Sequence, residues 1–177
     1  ERAFDPWVDM QEEMKAHDLP LVALESKDPL SCFDFLGFTL QYEMSYTNIL
    51  NMLDLAKIPL RSADRTALTP LVVAGGPCVC NPEPLADFID CFQIGEGEEM
   101  MMDFLDLLNE YKKKNATRKE FLIIYIIKLI CCGYFVFSNN CHLPSAIIHT
   151  RSSFPSNGKM HYLYAKASGF LVNYGYF

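Results

Sequence analysis

Two glycine-rich turns carry the residues that are best suited to binding a ligand. Gly75-Gly76-Pro77 ends the apolar run 71–74, and Gly95-Glu96-Gly97-Glu98 ends a second apolar run, 91–94. Short apolar, β-branched runs that stop at glycine are typical of buried parallel strands. Ligands of such sheets bind outside the carboxyl ends of the strands, where glycine lets the backbone approach a ligand closely. We therefore expect a ligand-binding edge here, although glycine also serves tight turns that bind nothing.

The other residues that could do chemistry form weaker patterns. The spacing Cys-x3-Cys-x2-Cys, with which three thiolates hold a 4Fe-4S cluster, does not occur. Cys78-Val79-Cys80 has no third or fourth ligand nearby in the sequence, which favours two small buried residues beside a turn over a metal site. Gly95-x-Gly97 lacks the third glycine of a dinucleotide fingerprint, and there is no P-loop lysine. No Ser/His/Asp or Cys/His constellation stands out, so we predict no independent catalysis. The cysteines are Cys32, Cys78, Cys80, Cys91, Cys131, Cys132 and Cys141.

The composition is that of an acidic globular protein. The 177 residues, half of them hydrophobic, are enough for one domain with a sizeable core. The formal net charge of −7 argues against a nucleic-acid partner. Seven cysteines without regular pairing are typical of a reduced, cytoplasmic protein. The chain begins with Glu1 rather than Met and shows no signal-peptide pattern, so we expect a fragment.

Strand-like and helix-like patterns alternate along the chain. This alternation predicts an α/β fold with a doubly wound, mostly parallel sheet. Trp7, Met10 and Met14 recur at spacings of three and four, which predicts a core-facing helical stripe. Segment 33–40 is apolar on both faces, as a central strand would be, and Ser45 or Thr47 is placed to cap the next helix. The expected strands are residues 1–4, 20–24, 33–40, 71–74 and 91–94, and the expected helices are residues 7–17, 45–57, 83–88 and 98–111.

Residues 121–177 differ from the rest of the chain in composition. All 22 acidic residues and 11 of the 15 Lys and Arg lie in residues 1–120, which carry 11 − 22 = −11. The apolar run 121–137 is near the lower limit for a membrane span, and Lys128 in its centre argues against one. We predict a domain at 1–120 and an anomalous apolar tail at 121–177, from an altered reading frame or a mis-assembled gene model.

Several short motifs in residues 1–120 together resemble the cobalamin-binding domain that precedes the catalytic barrel in many radical S-adenosylmethionine (SAM) enzymes, in a largely uncharacterised subgroup. The resemblance implies a three-layer α/β/α, Rossmann- or flavodoxin-like fold that lacks its first strand and helix. The missing strand would leave a gap beside segment 33–40 unless part of the tail fills it. The motifs are Phe4-Asp5-Pro6-Trp7, Leu36-Gly37-Phe38-Thr39-Leu40-Gln41-Tyr42-Glu43, Ser45-Tyr46-Thr47-Asn48, Gly75-Gly76-Pro77, Asn81-Pro82-Glu83-Pro84 and Gly95-Glu96-Gly97-Glu98.

The same resemblance implies which loops would contact the nucleotide tail of cobalamin. The turn Gly75-Gly76-Pro77 would allow its close approach, and Glu96 or Glu98 would accept hydrogen bonds from its ribose or amide groups. Those glutamates would equally stabilise a helix N-terminus. The cobalt-ligating motif Asp-x-His-x-x-Gly of some relatives does not occur in this sequence, and the resemblance places its position, the first strand–helix loop, upstream of Glu1. The implied cofactor-binding residues are Thr39, Gln41, Tyr42, Ser45, Tyr46, Thr47, Gly75, Gly76, Pro77, Gly95, Glu96, Gly97 and Glu98.

Three functions remain open on this evidence. The first is a cobalamin-binding module that positions the corrinoid next to the radical SAM barrel of the same polypeptide. In that case the 4Fe-4S cluster and S-adenosylmethionine would belong to a catalytic domain that this chain lacks. The second is a structural or docking domain of the same fold that does not bind cobalamin. The third is a flavodoxin-like enzyme or regulator with another nucleotide ligand.

Overall fold

A computed structural model describes residues 1–95, 97–132, 135–137, 147–149 and 162–164. The helices in these ranges are α1 (Val8–Ala16), α2 (Tyr46–Leu55), α3 (Gly97–Lys113) and α4 (Arg118–Cys132). The strands are β1 (Phe35–Thr39), β2 (Leu71–Gly75), β3 (Cys91–Ile94), β4 (Phe135–Phe137), β5 (Ile147–His149) and β6 (Tyr162–Tyr164).

The main sheet has the strand order β1-β2-β3-β4. Strands β1, β2 and β3 are parallel, and β4 pairs antiparallel with β3. Strands β5 and β6 form a separate antiparallel pair. The expected helix 83–88 is only the 3-10 turn Glu83–Leu85 between β2 and β3, but a mostly parallel sheet with α-helices on both faces confirms the predicted α/β, doubly wound fold.

The core lies in two layers, one on each face of the sheet. Val72 and Ala74 of β2 point into a cluster that contains residues of α1 and α2. Leu71 and Val73 point to the opposite face, into a cluster with α3 and α4. There the Phe104 ring packs edge-on against neighbouring rings, with centroids 5.0 to 5.6 Å apart. The alternation along β2 follows from the period of two in a strand, and it produces the three-layer arrangement.

The N-terminal segment differs from the prediction. Residues 1–4 form no strand, because their neighbour is a loop: the Leu24 N–H donates to the Arg2 carbonyl, and the Arg2 side chain pairs with Glu25 at 2.6 Å. Segment 20–24 contributes a single bridge, between Val22 and Pro29, rather than a strand. Both predictions were wrong because alternation alone does not supply a partner strand.

Strand β1 forms as predicted but does not lie in the centre of the sheet. It pairs with β2 on one side, and within the described ranges no strand pairs with its other side. Leu36 and Phe38 are consequently only half-buried, despite the apolar sequence that predicted a central position. The tail does not fill this gap in the described residues, since β4 covers the edge of β3 instead.

Helix α1 also forms as predicted, but its apolar stripe is only partly covered. Met14 is 8% exposed and belongs to the core, whereas Trp7 is 80% exposed and Met10 57% exposed. The prediction that all three side chains are core residues was wrong, because the rest of the described chain covers only the C-terminal end of the helix. Ser45 does precede α2, but its hydroxyl donates to the Tyr42 carbonyl at 2.8 Å and does not cap the helix.

Helix α4 accounts for the first half of the apolar run in the tail. Phe121, Leu122, Tyr125 and Ile126 are buried against the sheet and α3, at the spacing expected of a packed helix face. No helix among the residues that the structure describes is long and apolar enough to span a membrane. Most of residues 138–177 lies outside the described ranges, so the predicted tail boundary and its frame-shifted origin stay predictions.

Candidate functional site

The predicted ligand-binding loops follow three neighbouring parallel strands. Thr39 at the end of β1 is the register partner of Gly75 at the end of β2. Strand β3, which leads into Gly95, pairs with β2 in the same direction. The carboxyl ends of parallel strands meet at one edge of a sheet, so the structure brings all three loops to the same edge. We call it the carboxyl edge, formed by the described residues 39–47, 75–80, 94–95 and 97–98.

The loop after β1 offers polar groups to solvent. Thr39, Gln41 and Tyr42 are exposed, and so is Thr47 in the first turn of α2. The Thr47 hydroxyl lies 3.5 Å from Asn48 Oδ1. Ser45 is half-buried, with its hydroxyl used by the Tyr42 carbonyl. Hydroxyl and amide groups with few internal partners can hydrogen-bond to the amides and hydroxyls of a ligand.

The turn after β2 is filled by the chain itself. Gly76 has φ +102°, and a Cβ at that position would lie 3.0 Å from the Leu40 carbonyl oxygen. That carbonyl accepts a hydrogen bond from the Cys78 N–H at 3.0 Å, and the Leu40 N–H donates to the Gly75 carbonyl at 2.7 Å. Gly76 is therefore required by the packing of the end of β1 against its Cβ side, while Gly76 itself is exposed to solvent. Pro77 is exposed and opens a 3-10 turn.

The turn after β3 is the open part of the carboxyl edge. Gly95 has φ +121°, a conformation that favours glycine, and no atom of the described residues lies within 4 Å of its Cβ position. In the part of the chain that the structure describes, the Cβ position of Gly97, the first residue of α3, also has no neighbour within 4 Å. Glu98 is exposed in the first turn of this helix, and Glu96 lies outside the described residues. A carboxylate or another anion at this turn lies near the N-terminus of α3, which carries the positive end of the helix dipole.

Tyr46 carries a buried polar atom among the residues of the carboxyl edge. Its hydroxyl is buried and has no hydrogen-bond partner among the described residues. Burial raises the pKa of the Tyr46 hydroxyl, and the nearby Cys78 thiol and Glu43 carboxylate raise it further. The pKa of the Cys78 thiol is also raised, first by burial and then by Glu43 and Cys80. The described part of the chain contains no group of three or more His, Cys, Asp or Glu side chains arranged to hold a metal ion.

A buried ionic cluster lies at the opposite edge of the sheet, and the sequence analysis missed it. Asp90, just before β3, is fully buried and accepts hydrogen bonds from the Ser62 hydroxyl at 2.7 Å and the Val72 N–H at 2.7 Å. The buried guanidinium groups of Arg65 and Arg118 also donate to Asp90. The one available signal was an aspartate inside the apolar segment Phe-Ile-Asp-Cys-Phe.

Each arginine also ties a different part of the backbone to this cluster. Arg65 Nη1 donates to the Pro59 carbonyl at 2.8 Å, and burial lowers the pKa of its guanidinium. Arg118, at the start of α4, donates to the Ala67 carbonyl at 2.8 Å and the Pro70 carbonyl at 2.6 Å. These contacts lie at the amino ends of β2 and β3, so the cluster is a structural anchor and not part of the carboxyl edge.

Comparison with known proteins places this fold in a family. An uncharacterized protein of Methanocaldococcus jannaschii is 32% identical over 124 residues, an alignment that covers 64% of this chain and 26% of that protein. The chain thus spans about a quarter of the length of the curated relative that it matches. No solved structure matches the chain. The family model described as radical SAM proteins, N-terminal, matches residues 1–128. The chain therefore belongs to the family of radical SAM protein N-terminal regions.

Proposed function

We propose that the chain is the cobalamin-binding module of a radical SAM enzyme, where it holds the corrinoid next to the catalytic barrel of that enzyme. The family match supports a radical SAM-associated module. The observation that carries the finer proposal is the convergence of the loops after β1, β2 and β3 at one edge, where no described residue fills the space beside Gly95 and Gly97. Ligands of doubly wound sheets bind at this edge.

The residues of the carboxyl edge fit part of such a ligand. Thr39, Gln41 and Thr47 are exposed polar groups that would hydrogen-bond to the amides and ribose of a nucleotide tail. Gly95 and Gly97 would allow the ligand to approach the backbone, and Glu98 would accept a hydrogen bond beside them. When bound, cobalamin supplies a cobalt centre that can carry a methyl group. The role of this chain would be to bind and orient the cobalamin rather than to transfer protons.

One observation favours a second function, a structural or docking domain without cobalamin. The glycine turn after β2 is packed on the backbone of Leu40, which leaves no room for a side chain at Gly76 and accounts for the glycine without a ligand. A domain of this family that had lost its ligand would keep such a glycine for packing alone. Both functions require Gly76. They differ at Gly97, because only a cobalamin-binding module needs the space beside Gly97 for a ligand.

Absorption spectroscopy distinguishes the two functions. The 177-residue chain is mixed with hydroxocobalamin and passed through a gel-filtration column. We expect the corrinoid spectrum to co-elute with the protein. The variant Gly97→Phe places a ring in the open space above the edge without requiring a positive φ, and it should abolish retention. The matched variant Asn109→Phe, at an exposed position of the same helix, should retain the corrinoid.

Two results would contradict the proposal. Free elution of cobalamin from a folded chain, checked by circular dichroism, favours the docking domain. Retention that is equal in the chain and in Gly97→Phe places binding elsewhere than at the carboxyl edge. If flavin or nucleotide is added in place of hydroxocobalamin and is retained by the chain, the result would instead indicate another ligand class for this fold.

A further inference from the structure

A cavity of about 420 Å³ lies where the C-terminal ends of α1 and α2 meet the segment that follows α2. Its size is typical of sites for small molecules. The Pro59 and Leu60 carbonyls in its wall accept hydrogen bonds from Arg65 Nη1 at 2.8 and 3.2 Å, and Arg65 belongs to the Asp90 cluster. The cavity therefore lies on the side of the amino ends of the strands, away from the carboxyl edge on which the proposed function rests.

Most of the cavity wall is apolar and is fixed by the surrounding backbone. The Leu19 N–H donates to the Met14 carbonyl at 2.8 Å, and the Ile58 N–H donates to the Leu53 carbonyl at 3.0 Å. These bonds close the chain after each helix, so the wall is formed before a ligand enters. The apolar lining residues are the buried Met14, Leu55 and Ile58 and the exposed Leu19, Pro59 and Leu60. A ligand that displaces water from this wall needs a large apolar group.

The wall also carries one cation and one anion that can take up further partners. Lys15 of α1 and Asp54 of α2 both line the cavity, with Lys15 Nζ 3.7 Å from Asp54 Oδ2. This distance allows an ion pair but is too long for a hydrogen bond, so both groups keep the capacity to bond to a ligand. Lys57, the other lining residue with a charge, is instead hydrogen-bonded to Asp18 at 2.6 Å.

We propose that this cavity binds a free α-amino acid with a large apolar side chain. Near neutral pH such a molecule carries a carboxylate and an ammonium group on one carbon atom. The carboxylate accepts a hydrogen bond from Lys15 Nζ, the ammonium group donates to Asp54, and the side chain covers Met14, Leu55 and Ile58.

The paired charges are the reason for preferring a zwitterion to other apolar ligands. An apolar anion would bring a like charge next to Asp54, and an apolar cation would bring one next to Lys15. An uncharged apolar ligand would displace water from both groups and offer them no partner.

NMR titration of the 177-residue chain, labelled in its methionine methyl groups, tests the site. The probe is L-phenylalanine at pH 7, and its matched analogues are hydrocinnamate, which lacks the ammonium group, and phenethylamine, which lacks the carboxylate. We expect phenylalanine to shift the Met14 methyl signal, assigned through Met14→Leu, with a Kd of about 1 mM or below. The Met44 methyl signal, from an exposed residue of the carboxyl edge, should not shift. Both analogues should bind about two- to fivefold more weakly than phenylalanine.

Two charge-removing variants assign the contacts. Lys15→Gln should weaken the binding of phenylalanine and hydrocinnamate by about two- to fivefold without weakening that of phenethylamine. Asp54→Asn should weaken the binding of phenylalanine and phenethylamine by a similar factor and spare hydrocinnamate. The matched variants Lys119→Gln and Asp106→Asn, at exposed positions of α4 and α3, should leave all three Kd values unchanged.

Three results would overturn the proposal. The absence of a Met14 shift at about 10 mM phenylalanine, in a chain that circular dichroism shows to be folded, would mean that no amino acid binds there. Equal affinity for the three compounds, or for phenylalanine in Lys15→Gln and Asp54→Asn, would show an apolar cavity that does not recognise the charges. Tighter binding of hydrocinnamate or of phenethylamine than of phenylalanine would assign the cavity to a singly charged ligand. None of these measurements involves cobalamin, so their outcome is independent of the proposed function.

Discussion

The Tyr46 and Tyr125 hydroxyl groups are both buried but differ in hydrogen bonding. Tyr125 is fully buried and its hydroxyl accepts a hydrogen bond from Gln93 Nε2 at 2.7 Å. The Tyr46 hydroxyl is buried without a partner in the described residues. Tyr46→Phe should therefore leave the free energy of unfolding unchanged or raise it by up to about 1 kcal/mol, whereas Tyr125→Phe should lower it by about 1–3 kcal/mol, since Gln93 loses its acceptor. Urea denaturation followed by circular dichroism measures both, and a larger loss for Tyr46→Phe would contradict the assignment.

The Cys78 thiol should react slowly for a cysteine beside an exposed turn. Burial, Glu43 and Cys80 raise its pKa, and alkylation requires the thiolate. At pH 8 iodoacetamide should therefore label the exposed Cys80 before Cys78, as measured by peptide mass spectrometry. Glu43→Gln removes one of the causes and should speed Cys78 labelling by about two- to threefold. Glu12→Gln, an exposed carboxylate on α1, is the control, and an equal increase there would contradict a local effect.

Single residues show where sequence reasoning succeeds and where it fails. The glycines at the ends of β2 and β3 were recognisable because a positive φ and a tight turn restrict the residue type locally. Asp90 was not recognised, because its partners Arg65 and Arg118 are 25 and 28 residues away in the sequence. The exposure of Trp7 was missed for a related reason, since helical spacing defines a face but not what covers it.

At the scale of the turns, Gly76 and Gly97 can be compared directly. The Cβ position of Gly76 is packed against backbone, whereas no described atom lies within 4 Å of the Cβ position of Gly97. Gly76→Ala combines an unfavourable φ with a Cβ only 3.0 Å from backbone, so it should destabilise the fold by about 1–3 kcal/mol. Gly97→Ala places a Cβ in open space at the start of α3, and it should be neutral or stabilising by up to about 1 kcal/mol. Thermal and urea unfolding of both variants provide the comparison. Equal effects would indicate that the two turns do not differ as described.

The Asp90 cluster joins loops, strands and α4, so its removal should act on several elements at once. Asp90→Ala leaves two buried guanidinium groups without their carboxylate and should cost about 3–5 kcal/mol. Arg118→Met leaves the Asp90–Arg65 pair balanced in charge, so its cost should be smaller, about 1–3 kcal/mol. The double variant should be less destabilised than the sum of the two, as measured in a double-mutant cycle by urea unfolding. Strict additivity would contradict a shared network.

The elements that were predictable are those determined by local pattern. Strands β2 and β3 are short apolar runs bounded by glycine, and α3 repeats its apolar residues at helical spacing, so their bounds agree with the prediction within a few residues. What local pattern does not determine is adjacency: which strand lies at the edge and whether residues 1–4 find a partner. The carboxyl edge was predictable because parallel pairing places successive strand ends together.

The charge of the whole molecule predicts how its stability depends on pH and salt. The formal net charge is −7 at pH 7 and the sequence isoelectric point is about 5.0, so lowering the pH from 7 to 5 removes self-repulsion and should raise the melting temperature. Because this term is screened, the rise should be smaller in about 0.5 M NaCl than in about 0.02 M NaCl.

Below pH 5 a different set of groups should reverse this trend. Arg2 lowers the pKa of Glu25 to about 2, and Lys57, Lys114 and Thr117 lower the pKa values of Asp18, Glu110 and Glu120. A carboxyl group whose folded pKa is lowered stabilises the fold above its unfolded pKa, and this contribution is lost as the pH falls through the folded pKa. Melting temperatures should therefore decrease from about pH 5 towards pH 2, with a shallower decrease in Glu25→Gln. Circular dichroism melts across this range measure both limbs. Because the net charge turns positive below the isoelectric point of about 5.0, an equally steep decrease in Glu25→Gln would show that net charge alone controls stability there.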